Sequence, residues 1–122
     1  MTKLISEIIH EMNLNLEPFD AIKRGNKTVE MRLNDEKRQA IGKGDFIRFA
    51  NNTTGETLLV RVVDTISYPS FRELYDAHDK ISIGYNPKDF AEPADMLSYY
   101  SEDKIKKYGA LAIIIQLAAD EF

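Results

Sequence analysis

Apolar and polar positions change period several times along this chain. Leu4, Ile5, Ile8 and Ile9 recur at helical spacing, so Thr2 to Glu11 is expected to form a short helix. Met12, Leu14 and Leu16 then alternate with Asn13, Asn15 and Glu17, which is strand spacing. Pro18 suits the first turn of a helix and Gly25 its end, so EPFDAIKRG predicts a short helix with Phe19 and Ile22 facing the core. Beyond it Val29, Met31 and Leu33 alternate with Thr28, Glu30 and Arg32, the pattern of a half-buried strand. Asn34 to Arg38 reads as a polar turn. Gly42-Lys43-Gly44-Asp45 reads as a tight turn into the strand FIRFA.

Asn51 to Gly55 has hairpin-turn chemistry, and the β-branched, apolar run Thr57 to Ile66 predicts a central strand. Ser70 with Glu73 three positions later forms a capping-box pattern, and Phe71, Leu74 and Tyr75 would share one face of the helix that follows. A polar segment with two prolines, Asp79 to Pro93, comes next. Helical patterns follow around Ala94 to Tyr100 and over Ser101 to Lys107. Ser101-Glu102-Asp103 suits the second helix start, although Lys104 departs from the capping box, and Gly109 ends that helix. Ala110 to Leu117 closes the chain as a strand. Strands with short connections cluster in the middle of this order. The expected fold class is α+β: a small, partly closed antiparallel or mixed barrel decorated by short helices.

Composition narrows the possibilities. A length of 122 residues fits one domain, and 43% hydrophobic with 30% charged residues supports a packed core without staples. The absence of Cys excludes disulfides, thiolate metal sites and thiol nucleophiles. His10 and His78 stand far apart and share no metal-ligand spacing, so neither a metal nor a cofactor is expected. Met1 to Ile9 lacks the pattern of a secretory signal. The most apolar run, Gly109 to Ala119, has about half of the ~20 residues a spanning helix needs. A cytoplasmic protein with no membrane partner is the expectation. The net charge of −4 argues against strong nonspecific nucleic-acid binding. Residues 1–19, 20–49 and 50–122 carry −2, +3 and −5, so the one net-positive section surrounds the GNKTVEMR stretch, residues 25–32.

That stretch carries the candidate chemistry. On a strand, Thr28, Glu30 and Arg32 share one face, and Lys27 lies at the strand's mouth with opposite parity. Lys27 follows Gly25-Asn26, where the backbone is permissive enough to let its side chain swing toward that face. One reading is a solvated face on the wet side of a half-buried strand. The other is the wall of a cleft. There Arg32 offers a planar fork to a phosphate or base edge, Lys27 a second positive charge or a proton-transfer group, and Glu30 an orienting carboxylate or general base. Spacing leaves both readings open. Six tyrosines (Tyr68, Tyr75, Tyr85, Tyr99, Tyr100 and Tyr108) are available for stacking on bases, but packing accounts for most tyrosines of this kind. Asn51 and Asn52 have base-reading side chains and an adequate role in the turn. Ser70 is better explained as a cap than as a nucleophile, and Gly42-x-Gly44 as a turn.

The pattern Gly25-x-Lys27-x-x-Glu30-x-Arg32 resembles the G-x-K-x-x-E-x-R signature of the ASCH domain family, within the PUA-like superfamily. PFDAIKRG is similar to the family's lead-in to that signature, and IGKGDFIRF to its GD-x-I-x-F strand entry. YPSFRELY and YYSEDKIKKYGALAIIIQL are similar to later family segments. The resemblance covers about residues 12–117 of a chain read as one domain over 1–122. It implies a PUA-like β-barrel with the signature beside a cleft and a role in binding RNA or a nucleotide. Carried over by position, Gly25 shapes the turn, and Lys27, Glu30 and Arg32 are the ligand-binding residues. Lys27 and Glu30 are also the catalytic candidates if the protein is an enzyme. One branch resembles amidohydrolases of N4-acetylcytidine that use a Lys, a Thr and a Glu. Lys27 matches that Lys, but Glu30 stands where the Thr should be, Thr28 is two residues out of place, and Glu73 is the candidate for the separate Glu. Cleavage of RNA phosphodiesters is the other hydrolytic alternative. A protein-interaction module is the third reading, kept open by the negative net charge.

Overall fold

A computed structural model describes residues 8–118. Five strands form one mixed sheet: β1 (Ile9–Leu14), β2 (Val29–Leu33), β3 (Phe46–Asn51), β4 (Thr57–Tyr68) and β5 (Ala110–Leu117), in the order β1-β3-β4-β5-β2. Only the β1–β3 pair is parallel; its register runs from Ile9 opposite Phe46 to Leu14 opposite Asn51. The other three pairs are antiparallel. The sheet curls into a half-barrel. An irregularity in β4 between Val62 and Asp64 shifts its register against β5, and a bulge of this kind sharpens the bend of a strand.

Alternation along β5 divides the core in two. Leu111, Ile113 and Ile115 join Met12, Leu14, Phe19, Ile22, Ile47, Phe49, Val60 and Val62 on the concave side. Ala110 and Ala112 face Val29, Phe71, Leu74, Tyr75, Ile83 and Met96 on the other. The first cluster is capped by α1 (Leu16–Lys23), which buries Phe19, Ala21 and Ile22. The second lies beneath α3 (Phe71–Ala77). Ser70 caps α3 as its sequence pattern predicts, with its Oγ accepting from Glu73 N at 3.2 Å. The last helix, α4 (Glu102–Tyr108), starts at Ser101, whose Oγ accepts from Lys104 N at 3.2 Å, and stops at Gly109.

Three sequence expectations change. Ile9 to Glu11 were expected to be helical and instead belong to β1, because the backbone of β3 offers them a parallel ladder; Ile8 precedes that strand without helical structure, and residues 2–7 of the expected helix lie outside the described residues. The polar turn at 34–38 winds into a short helix, α2 (Glu36–Gln39), because Asp35 accepts from Arg38 N at 3.1 Å and from Arg38 Nη1 at 2.7 Å. The helix expected around 94–100 is a 3-10 helix, Pro93–Ser98, capped by Glu92.

Gly25 deserves its place at the end of α1. Its φ is +87°, its N–H donates to Ile22 O at 2.9 Å, and the N–H of Asn26 donates to Ala21 O at 3.0 Å. This is a Schellman ending, which turns the chain out of α1 toward β2 and sets Lys27 just before the strand. No atom would meet a Cβ at Gly25, so the demand is on backbone angle alone. Gly25→Ala should therefore lower stability by about 1–2 kcal/mol. Gly42→Ala, where φ is ordinary and the nearest atom lies 3.7 Å from the new Cβ, should change little. Chemical denaturation of the two variants beside the parent checks this ranking.

Candidate functional site

The face of β2 that carries Glu30 and Arg32 points inward. Glu30 pairs with Ile113 and Arg32 with Leu111, so both share the concave side with the main core. Val29 and Met31 pack against the other cluster, and both faces of this edge strand are covered. Glu30 is 4% exposed and Lys27 5%, while the Arg32 side chain is 14% exposed. The solvated-face reading is thereby set aside.

A buried carboxylate needs its charge answered, and Glu30 has two cations. Its Oε1 lies 3.1 Å from Lys27 Nζ, and its Oε2 accepts from Arg32 Nε at 2.6 Å. Burial alone would push the Glu30 carboxyl up. The Lys27 and Arg32 charges, with their hydrogen bonds, outweigh that and hold it below the usual carboxylate range. Glu30 is thus a fixed anion with both oxygens engaged. As a general base it is poorly placed; as an anchor for two cations it is well placed.

Each cation reaches a further element. Lys27 Nζ donates to Ile83 O at 3.0 Å, in the segment after α3. Arg32 Nη2 donates to Asn13 O at 3.0 Å on β1, so its guanidinium spans the gap between the two edge strands of the half-barrel. Lys27 fits because residue 84 is glycine. A Cβ there would stand 3.2 Å from Lys27 Cδ and 3.3 Å from Nζ, and φ is +115°. Neither Gly84 nor the carbonyls of Ile83 and Asn13 stood out in the sequence. The one available signal was a glycine beside a tyrosine in a segment with no other pattern.

A cleft of about 860 Å³ opens over this gap. Lys27, Glu30 and Arg32 line it. Asn13, Asn15 and Asn52 contribute from β1, the start of α1 and the β3–β4 turn, and Asn52 Nδ2 donates to Asn15 Oδ1 at 3.1 Å. Tyr75, Tyr85, Tyr99 and Tyr100 line it from α3, the 79–93 segment and the end of the 3-10 helix. Tyr100 stacks on Phe71 at 6.1 Å, whereas Tyr99 is 62% exposed. Among the described residues Arg32 Nη1 has no protein partner and is not sealed from solvent, so it remains a free donor at the cleft.

Other sequence candidates fall elsewhere. Asn51 is a turn residue, its Oδ1 accepting from Thr53 N at 2.8 Å and Thr54 N at 3.3 Å. Thr28 and Glu73 do not line the cleft, so these two residues do not complete a Lys-Thr-Glu set with Lys27. Ser70 and Glu73 hydrogen-bond each other at the start of α3. His10 Nε2 lies 2.8 Å from Asp45 Oδ2, joining β1 to the turn before β3, and His78 pairs with the Tyr68 hydroxyl at 3.0 Å. No metal-holding group of His, Asp or Glu forms among the described residues. Nor is any helix among them long and apolar enough to cross a membrane.

The curled mixed sheet, its short helices and the charged seam define a PUA-like fold. The family model for the ASCH domain matches residues 12–118, and the chain belongs to the ASCH domain family. Among solved structures it is similar to the crystal structure of hypothetical protein PH0355, with a TM-score of 0.77 and 32% identity over 91% of this chain and 100% of that one. It is also similar to protein PF0455 from Pyrococcus furiosus, solved by solution NMR, with a TM-score of 0.72 and 35% identity over 94% and 100%. A mutant ASCH protein from Zymomonas mobilis shares the fold at a TM-score of 0.57 and 15% identity, over 88% of this chain and 67% of that one. No curated protein matches the chain.

Glu30→Gln leaves Lys27 buried without its counter-charge and should cost about 3–5 kcal/mol. The same carboxyl predicts a pH dependence. Because its folded-state pKa is depressed, its ionisation contributes stability that is complete above the unfolded value of about 4.3 and is lost as the pH falls through the folded-state value. The stability gap between parent and Glu30→Gln, read from urea melts, should be widest near neutral pH and narrow as the solution is acidified below about pH 4.

Proposed function

We propose that this ASCH domain binds RNA or a nucleotide, with a base held in the cleft beside Lys27, Glu30 and Arg32. The free Arg32 Nη1, fixed by Glu30 and Asn13 at the wall of the cleft, is the observation that carries this reading. A guanidinium held in this way has lost its side-chain freedom before the ligand arrives, and so offers a planar donor to a phosphate or base edge at low entropic cost. The volume of the cleft lies within the usual range of small-molecule sites, roughly 300–1,000 Å³. Exposed Tyr99 supplies a stacking face at its mouth.

The charge balance limits how the ligand sits. Glu17, Glu30, Asp89 and Asp95 face the cleft against Lys27 and Arg32. A lining of that balance suits a base or nucleoside with a single phosphate contact better than a backbone threaded through the cleft. Glu30, held ionised with both oxygens occupied, supports recognition over turnover.

Two variants test the reading by titration calorimetry with mononucleotides and short single-stranded RNAs. Arg32→Lys, which keeps a cation near Glu30 but removes the free Nη1 donor, should weaken binding by about tenfold, with circular dichroism confirming that the fold persists. Tyr99→Ala, at an exposed position, should weaken binding by about tenfold, the effect of one lost stacking contact. Unchanged affinity in both variants overturns the proposal. Incubation with RNA and with N4-acylated cytidine separates the hydrolytic alternative: product formed by the parent and lost in Lys27→Ala would make the protein an enzyme.

A further inference from the structure

A second wall of the same cleft has a hydrogen-bond chain with a definite direction. The Tyr85 hydroxyl donates to Asp95 Oδ2 at 2.7 Å, and a carboxylate can only accept. Tyr85 has one proton. Its 2.8 Å contact with the Tyr75 hydroxyl is therefore a bond in which Tyr75 donates and Tyr85 accepts. Burial, chiefly, pushes both phenols up, so both keep their protons throughout the physiological range. The rings meet edge to face at 5.8 Å, which fixes the two hydroxyls relative to each other.

The consequence is a wall that offers acceptors. Tyr75 and Tyr85 have each committed their proton within the chain Tyr75→Tyr85→Asp95, so toward the cleft their oxygens present lone pairs. Asp95 is held by one oxygen, and its Oδ1 has no protein partner among the described residues. The Lys27–Arg32 wall, by contrast, offers donors. A ligand that satisfies both needs an acceptor edge or phosphate for one wall and an N–H donor for the other.

We propose that Asp95, oriented by Tyr85 and Tyr75, is a specificity-determining residue that accepts a hydrogen bond from the exocyclic amino group of the bound nucleobase. The inference rests on the nucleotide-binding reading and narrows it to amino-bearing bases. An ionised acceptor already aimed by Tyr85 rewards an amino group, while a base with a carbonyl at that position sets oxygen against oxygen. Asp95 is exposed and belongs to neither core cluster, so its substitution tests recognition without disturbing packing.

The experiment measures affinity for adenosine 5′-monophosphate and for purine riboside 5′-monophosphate, which differ only in the amino group, and for the cytidine and uridine monophosphates. Hexaribonucleotides of the same four bases are titrated in parallel. The parent protein should prefer the amino member of each pair by about tenfold, the worth of one charge-assisted hydrogen bond. Asp95→Asn should bring each pair within about threefold of equality, by loss of the charge that distinguishes the two bases. Tyr85→Phe keeps the carboxylate but frees its orientation; it should shrink the ratio of affinities within each pair, whereas a general loss of packing would weaken both members alike. Equal binding of the pairs by the parent, or a preference that survives both variants, overturns the inference and leaves the nucleotide reading standing. Failure of all eight probes to bind overturns both.

Discussion

Glu30 is a carboxylate almost wholly removed from water, and that single fact constrains the rest of the site. A charge in such a place persists only if cations stand beside it and every oxygen is occupied. Lys27 and Arg32 meet the requirement, and each carries the constraint outward. Lys27 ties β2 to the carbonyl of Ile83, and Arg32 ties it to the carbonyl of Asn13 on β1. One carboxylate thus holds together an edge strand, the segment after α3 and the opposite edge of the sheet. The arrangement fixes geometry more than it adds stability, because a buried ion pair returns little beyond the desolvation of its own charges.

The half-barrel explains why the charges can face inward at all. A curled sheet that does not close leaves two edge strands, here β1 and β2, whose backbone groups lack a neighbouring strand. Arg32 reaches across that gap with a side chain instead of a ladder. The cleft is what remains of the gap once α1, the 79–93 segment and the 3-10 helix have packed around it. Charged groups lining such an opening are partly shielded from water and salt, so few of them are needed for a strong local field. This accords with an acidic chain whose cleft, among the described residues, is lined by two cations, Lys27 and Arg32.

The two walls of the cleft are built by different means. The donor wall is electrostatic: ionised Glu30 fixes two cations. The acceptor wall is a matter of proton counting: one proton per phenol and an acceptor-only carboxylate leave a single consistent direction for Tyr75, Tyr85 and Asp95. Such hydrogen-bonded sets hold their members in place before any ligand arrives, which is the main physical asset of a small site on a small domain.

Residue order alone settles the elements whose signals are local. Pro18 and Gly25 bound α1, the Ser70–Glu73 pair caps α3, Gly109 stops α4, and the alternation in β2 and the apolar runs of β4 and β5 are plain from residue order. It also marked Lys27, Glu30 and Arg32 as a charged set, because all three lie in one short stretch. Which way that set faces was undecidable from spacing, since alternation separates two faces without naming the inner one. The pairing of Glu30 with Ile113 and Arg32 with Leu111 decided it. Ile9 to Glu11 kept a helical spacing that the ladder with β3 overrode. Gly84, the Asn13 carbonyl and the Tyr75–Tyr85–Asp95 chain join residues far apart in sequence, and no periodicity encodes such meetings. Local backbone preference wrote the elements; the packing of distant segments, which alone removes water from a charge, made the site.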